Sequence, residues 1–181
     1  NKVFIKLKQP YKCYCFSIAN VGGMAMDSSD ISTFTIDKFI SNSGGPHLNN
    51  PRATRMRTDF TDLPAIELWA ETSYPIAVYH TLRTKIHADA RITVFMDLNH
   101  NLKYDGASEI IWSTTTSASN FYPHATITIP RYVVPDVETG MRVVLTNNMG
   151  VNNPSDLGCD AFESGEIEDY LVILRRYPTS I

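Results

Sequence analysis

The segment Gly165-Glu166-Ile167-Glu168-Asp169-Tyr170-Leu171-Val172-Ile173-Leu174 places three carboxylates directly before an apolar run. Within it, the side chains of Tyr170, Val172 and Leu174 recur at every second position, which is the period of a β-strand. Carboxylates that adjoin a buried strand must be neutralised by a cation or an arginine, or be held in solvent. The segment therefore predicts a strand whose charged end needs a partner elsewhere in the chain.

The same alternation of apolar and polar residues recurs along the whole chain and predicts an all-β fold. The other alternating segments are Val3 to Leu7, Phe34 to Ile36, Ile66 to Leu68, Ile76 to Leu82, Ile92 to Met96, Ile127 to Ile129 and Met141 to Leu145. Clusters of glycine, asparagine and proline, such as Ser41 to Pro46, separate them and indicate turns. About nine or ten strands of this kind suit a two-sheet antiparallel β-sandwich of the jelly-roll or immunoglobulin-like type.

Length and composition predict a single folded domain over residues 1–181. The chain has 43% hydrophobic and 19% charged residues, which is ordinary for a globular domain with one core. Its net charge is -3 and its lysines and arginines are scattered, so it lacks the basic surface that nucleic-acid binding requires. No apolar run approaches the roughly 20 residues that span a bilayer, so we expect no membrane span.

The three cysteines, Cys13, Cys15 and Cys159, indicate one disulfide. Cys13 and Cys15 are too close to bond to each other within a strand, so either of them can pair with Cys159. Such a bond would close a loop of about 145 residues and stabilise the fold by roughly 3 to 5 kcal/mol. It favours an oxidising compartment, and the alternative is three buried thiols in a cytosolic protein.

Oxygen-bearing residues recur at alternate positions after the strand Ile92 to Met96, and this pattern predicts a calcium site. The six candidate ligands are the side chains of Asp97, Asn99, Asn101, Asp105 and Glu109 and the backbone carbonyl of Lys103. Hard oxygen ligands suit calcium and argue against zinc. An EF-hand is excluded because Leu102 occupies the position of its invariant glycine and no helix follows. The alternative is an asparagine-rich and aspartate-rich turn that binds no metal.

Arg142 is the candidate partner of the acidic segment. It alternates with Met141 and Val143, so it points away from their face of the strand. The planar guanidinium could hold one of three carboxylates, Glu166, Glu168 or Asp169, in a bidentate pair. In the catalytic alternative, two of these carboxylates act as the acid and base of a glycosidase. We disfavour that alternative, because neighbours on one strand point to opposite faces.

Other catalytic arrangements are missing from the sequence. The five histidines are dispersed, no Gly-x-Ser-x-Gly segment is present, and no His-Glu-x-x-His segment is present. We therefore expect no enzymatic activity and no catalytic residue. The aromatic residues Trp112, Phe121 and Tyr122 flank the polar run Ser113 to Asn120, which is the predicted ligand surface, because flat rings match the faces of sugars. Core packing of these rings is the alternative.

Taken together, these motifs resemble the GEVED domain family in their order and spacing. The resemblance is carried by Arg91 to Glu109, Gly140 to Val143, Cys159 and Gly165 to Tyr170. It extends over about residues 14–176, and residues 1–13 are predicted to add an N-terminal edge strand whose lysines resist unwanted pairing. The family is named after a motif similar to the segment that begins at Gly165.

The resemblance implies a non-catalytic β-sandwich of a secreted or cell-surface protein, of the kind exported by type IX secretion in Bacteroidetes-like bacteria. In the family pattern, Asp97, Asn99, Asn101, Asp105 and Glu109 match the polar loop positions, and Cys15 and Cys159 match the two typical cysteines. Two departures, Asn101 for an aspartate and Leu102 for a glycine, lower the charge of the loop and make its turn harder to form.

Two functions follow as expectations. The first is an accessory or adhesive module, stabilised by calcium and a disulfide, whose partners are neighbouring domains of the same polypeptide or a surface protein. The second is a carbohydrate-binding module of a secreted enzyme, whose partner is a glycan.

Overall fold

The computed structural model describes residues 14–15, 30–43, 53–54, 57–81, 89–104, 106–117, 119–146, 157–160 and 165–177. These residues form eleven strands: β1 (Asp30–Ile36), β2 (Phe39–Asn42), β3 (Ala53–Thr54), β4 (Arg57–Asp59), β5 (Ile66–Trp69), β6 (Ser73–Thr81), β7 (Asp89–Met96), β8 (Ile110–Ser117), β9 (His124–Thr128), β10 (Glu138–Thr146) and β11 (Gly165–Arg175). A short 3₁₀ turn, Ala107–Glu109, precedes β8. The predicted all-β fold is confirmed, whereas the edge strand expected in residues 1–13 lies outside the described residues.

The strands form two sheets packed face to face. The smaller sheet has the order β2-β1-β6-β9, and the larger has the order β3-β4-β11-β10-β7-β8, with β5 also paired to β11. The pairing departs from the antiparallel expectation at β4 and β5, which both run parallel to β11. The eleven residues of β11 are enough to pair with β4 first and with β5 farther along the same edge. The strand count exceeds expectation because β3 and β4, with two and three residues, are too short to show alternation.

The main core lies between the two sheets. From the larger sheet it takes alternate residues of β10 and β11, among them Met141, Val143, Tyr170 and Val172, all at most 1% exposed. The smaller sheet supplies Phe34, whose ring centroid lies 5.1 Å from that of Tyr170. Burial of each such side chain stabilises the fold by roughly 1.5 to 3 kcal/mol.

A second apolar cluster covers the outer face of the larger sheet. Its buried members are Phe95, Tyr104, Val144, Leu157 and Ile167. β10 is therefore buried on both faces, which explains why apolar residues run through it almost without interruption. The segments that cover this face also carry Cys15, Cys159 and the polar loop after β7. In the described part of the chain, no helix is long and apolar enough to cross a membrane.

Candidate functional site

The outer face of the larger sheet holds a buried ion pair between Arg142 and Asp169. The two residues face each other across the β10–β11 ladder. Arg142 Nε donates to Asp169 Oδ1 at 2.6 Å and Nη2 donates to Oδ2 at 3.0 Å. Their side chains are 0% and 4% exposed, and Arg57 Nη2 lies 2.5 Å from Asp169 Oδ2. Burial alone would lower the pKa of Arg142, but the Asp169 carboxylate outweighs it and raises that pKa, so the guanidinium stays charged.

The remaining donors of Arg142 join separate parts of the chain. Its Nη1 atom donates to the carbonyl oxygens of Gly158 at 2.6 Å and Cys15 at 3.1 Å. Its Cζ atom lies 4.6 Å from the centroid of the Tyr104 ring, within the range of a cation–π contact. One side chain thus links the segment at Cys15, the segment at Gly158 and the end of the loop after β7 to the sheet.

A disulfide joins Cys15 to Cys159, which are 144 residues apart in sequence. It closes the same region, because the backbone N–H of Tyr104 donates to Cys159 Sγ at 3.3 Å. Of the two N-terminal cysteines that could have paired, the structure selects Cys15, as the family resemblance implied. Cys13 lies outside the described residues.

The polar loop after β7 is built from side chains that cap their own backbone. Asp97 Oδ1 accepts the N–H of Asn101 and Asp97 Oδ2 accepts that of Leu102, both at 3.0 Å. Asn99 Oδ1 accepts the N–H of Asn101, and Asn101 Oδ1 accepts that of Lys103, both at 2.9 Å. These are the Asx turns of the metal-free alternative. A calcium loop also needs ordered oxygens, so the capping is compatible with either alternative.

The two ends of the loop are buried together. Asp97 and Glu109 are both 1% exposed, and Glu109 Oε1 accepts the backbone N–H of Leu98 at 3.2 Å. Asp97 Oδ2 also accepts a hydrogen bond of 2.8 Å from the hydroxyl of Tyr14, which stacks on Tyr104 with ring centroids 5.0 Å apart. Burial raises the pKa of the Tyr14 phenol above its usual range, so Tyr14 remains a donor. The polar loop, the disulfide and the ion pair therefore meet in one place.

The metal ligands expected from the sequence are brought together in part. Asp97, Asn99, Asn101 and Glu109 lie in or at the end of one loop, together with Lys103, whereas Asp105 lies outside the described residues. Among the residues that the structure describes, no three side chains of His, Cys, Asp or Glu converge in a metal-binding cluster. Any cation bound here would therefore depend on amide and carbonyl oxygens as well as on carboxylates.

Glu166 and Glu168 do not contact Arg142, which corrects their inclusion in the expected ion pair. In the β10–β11 ladder, Glu168 is opposite Val143 and Glu166 is opposite Leu145. Because side chains alternate along a strand, both glutamates point into the space between the sheets while Asp169 points outward. Both are 0% exposed. The sequence could not choose among the three carboxylates because the choice depends on the register of the strand pair.

The aromatic residues of the expected ligand surface separate into two environments. Trp112 is half-buried and packs against the main core, whereas Phe121 and Tyr122 are 58% and 36% exposed. Tyr122 stacks on Tyr79, with ring centroids 3.8 Å apart. Tyr79 lies on the outer face of β6, in alternation with buried Val78.

An open groove lies beside this ring pair on the solvent face of the smaller sheet. Its volume is about 550 Å³, and its lining includes Thr35, Asp37, Tyr122, His124 and Thr126. Small-molecule sites usually have volumes of about 300 to 1,000 Å³ and combine apolar surface with a few polar groups. The groove therefore has the size and the mixed lining of a ligand site.

The predicted resemblance to a family is confirmed over part of the chain. Residues 91–173 match the GEVED domain, a stretch that runs from β7 through most of β11. A comparison with curated proteins found no match. The matched stretch contains Arg142, Asp169, Cys159 and the whole polar loop, which are the residues that meet on the outer face of the larger sheet.

Proposed function

From the match of residues 91–173 to the GEVED domain, we propose that this chain is a non-catalytic accessory or adhesive module of a larger secreted or cell-surface protein. Its β-sandwich fold suits a module that positions neighbouring domains or holds a surface partner. The disulfide is compatible with an extracellular location. The partners that we propose are adjoining domains of the same polypeptide or a protein of the cell surface.

The burial of the acidic motif supports the non-catalytic part of this proposal. Glu166 and Glu168 are 0% exposed and Asp169 is 3% exposed. A catalytic acid or base must come within hydrogen-bond distance of a substrate. These carboxylates instead contact Arg142, Thr58 and Tyr170, which are structural partners. The motif thus supports a scaffold role and gives no support to a glycosidase.

We further propose that the polar loop binds calcium. The residues fit this ion because Asp97, Asn99, Asn101, Glu109 and the Lys103 carbonyl supply hard oxygens. A carbonyl or carboxylate oxygen that accepts one N–H retains a second lone pair, so the capping bonds do not prevent coordination. Calcium would supply positive charge beside the buried carboxylates of Asp97 and Glu109 and would hold the loop against the sheet.

Thermal melting of the isolated domain tests this proposal. Calcium at a concentration about a hundredfold above its dissociation constant would stabilise the fold by about 2.7 kcal/mol. For a chain of this length we expect the midpoint to rise by roughly 5 to 10 °C relative to a chelator. Replacing the exposed side chains in the double variant Asn99→Ala, Asn101→Ala should reduce this difference, because two oxygens are removed.

Lys103→Ala is the matched control for the calcium experiment. It removes a neighbouring side chain of the same loop but keeps the backbone carbonyl, so the calcium-dependent rise should persist. A wild-type midpoint that is the same in calcium and in chelator would contradict the calcium proposal and favour the metal-free turn.

A carbohydrate-binding module is the second candidate function, and the exposed ring pair favours it. Tyr79 and Tyr122 stack beside a groove whose polar lining groups could bind sugar hydroxyls. The apolar face of a sugar ring packs well on such a tyrosine. This surface differs from the one expected around Trp112, which is turned toward the core.

A glycan array with the isolated domain separates the two candidates. Saturable glycan binding that is lost in Tyr122→Ala would support the carbohydrate-binding module and overturn the accessory role. Tyr132→Ala is the matched control, because Tyr132 is a 60% exposed tyrosine outside the groove. The absence of binding across the array would support the accessory or adhesive module.

A further inference from the structure

Three buried carboxyl groups lie near one another in the interior between the two sheets. Asp30 lies at the start of β1 and is 1% exposed, and Glu166 and Glu168 on β11 are 0% exposed. The two glutamates are two residues apart on one strand, so they share a face. We refer to Asp30, Glu166 and Glu168 as the carboxyl cluster. It is separate from the Arg142 ion pair, which occupies the opposite face of β11.

Polar groups from both sheets contact this cluster. Glu166 Oε2 accepts the N–H of Ile31 at 2.6 Å, and Oε1 accepts the hydroxyl of Thr58 at 2.9 Å. Glu168 Oε2 accepts the hydroxyl of Tyr170 at 2.6 Å, and the same hydroxyl lies 2.6 Å from Ser41 Oγ. Ile31 and Ser41 belong to the smaller sheet, so these bonds cross the interior and join the sheets.

Deep burial favours the protonated form of the two glutamates, because the charged form loses its hydration. Both glutamates are 0% exposed, and Asp30 lies near Glu166. Burial, with the charges of Glu168 and Asp30 adding to it, raises the pKa of Glu166 well above its usual range. Burial also raises the pKa of Glu168 to about 8, although its hydrogen bonds with Tyr170 and Ser43 act in the opposite direction.

The charges around the cluster reinforce this effect. Asp30 faces it from β1, and the negative charge of Asp169 reaches Glu168 from the other face of β11. On β6, the His80 ring contacts Thr116 and the carbonyl of Asn120, and burial lowers the pKa of His80. On β4, Arg57 is bonded to Asp169. Ionisation of the cluster would therefore place like charges next to one another in the core.

We propose that Glu166 and Glu168 hold protons at neutral pH and act as a pH-sensitive clamp that joins the two sheets. The difference in pKa between the folded and the unfolded state determines whether folding stability rises or falls with pH. An unfolded glutamate has a pKa of about 4.3, whereas that of Glu168 in the fold is about 8. Protonated Glu168 therefore contributes its full stability below about pH 4, and that stability is lost as the pH rises through about 8.

Denaturant unfolding of the wild-type domain between about pH 5 and pH 9 tests the clamp. We expect the midpoint concentration to fall steadily as the pH rises. In Glu168→Gln the dependence should become shallower, because an amide keeps the shape of the protonated acid and does not ionise. Glu67→Gln is the matched control: it changes an exposed glutamate that bridges to Arg175, and it should keep the wild-type pH dependence.

Infrared spectroscopy of the wild-type protein gives a readout that does not depend on whether Glu168→Gln folds. A protonated carboxylic acid band should be present at pH 7 and weaken by about pH 9, as Glu168 ionises. A midpoint that is constant or rises with pH, or the absence of that band, would overturn the proposal. Calcium binding that persists in Asp97→Asn but is lost in Glu168→Gln would also overturn the proposal. That result would identify the carboxyl cluster as an ionised cation site.

Discussion

Arg142 shows how one buried residue can hold several segments together. Four of its hydrogen bonds go to Asp169, Cys15 and Gly158, and its guanidinium lies over the ring of Tyr104. A guanidinium can do this because its donors point outward in one plane. Lysine would offer a single charged point, so it could not make the bidentate pair with Asp169 and reach two carbonyl oxygens as well.

Removing Asp169 should therefore destabilise the domain strongly. Asp169→Ala leaves the guanidinium of Arg142 buried without its carboxylate, and such a loss typically costs about 3 to 5 kcal/mol. We expect urea unfolding to show this decrease in the free energy of unfolding, or the variant to fail to fold.

Asp136→Asn provides the comparison, because Asp136 is also the carboxylate partner of an arginine and asparagine tolerates its positive φ of 62°. Its bond to Arg175 is exposed, with side chains 65% and 31% accessible, so its loss should cost less than about 1 kcal/mol. Similar losses in the two variants would show that the pair at Arg142 is not effectively buried.

The strands differ in how far the sequence alone predicts them. The apolar alternation of Tyr170, Val172 and Leu174 predicted the second half of β11, but the strand begins at Gly165. The sequence indicated a charged strand end in its first half, but not that Glu166 and Glu168 are buried there. The parallel pairing of β4 and β5 could not be predicted either, since both strands are short and find β11 only through tertiary contacts.

Gly165 explains why β11 can begin where it does. Its φ is +142°, and a Cβ atom placed there would lie 1.8 Å from the carbonyl oxygen of Leu145. Only glycine fits this close approach of the two strands. Gly165 pairs with Thr146, and in the same register Asp169 is opposite Arg142. The need for a glycine at this close approach therefore favours the register in which Asp169 forms the ion pair.

The polar loop was predictable as an element, and its backbone was not. The alternating oxygens identified its residues, but Leu102 has a φ of +68° where a glycine would adopt that conformation more readily. The side chains of Asp97, Asn99 and Asn101 hold the loop in this shape through their hydrogen bonds to the backbone. A sequence pattern that requires glycine at the position of Leu102 does not recognise this loop. Hydrogen bonds from side chains to the backbone stabilise the positive φ of Leu102 instead.

At the scale of the whole molecule, two apolar layers are held by different forces. The main core lies between the sheets and depends on burial of many side chains. Among the described residues, the outer cluster has five buried members against the many of the main core, so it gains less from burial and relies on the disulfide, Arg142 and the polar loop. The two layers should therefore differ in local stability.

Reduction of the Cys15–Cys159 disulfide should loosen the outer layer before the main core. The bond spans 144 residues, and its loss should cost about 3 to 5 kcal/mol. Hydrogen exchange with mass spectrometry should show that residues 97–104 and 157–160 lose protection in reductant, whereas β1 and β6 keep theirs. Cys13→Ser, which retains the disulfide, should exchange like the wild type until it is reduced. Equal loss of protection in both layers would show instead that the sandwich unfolds as one unit.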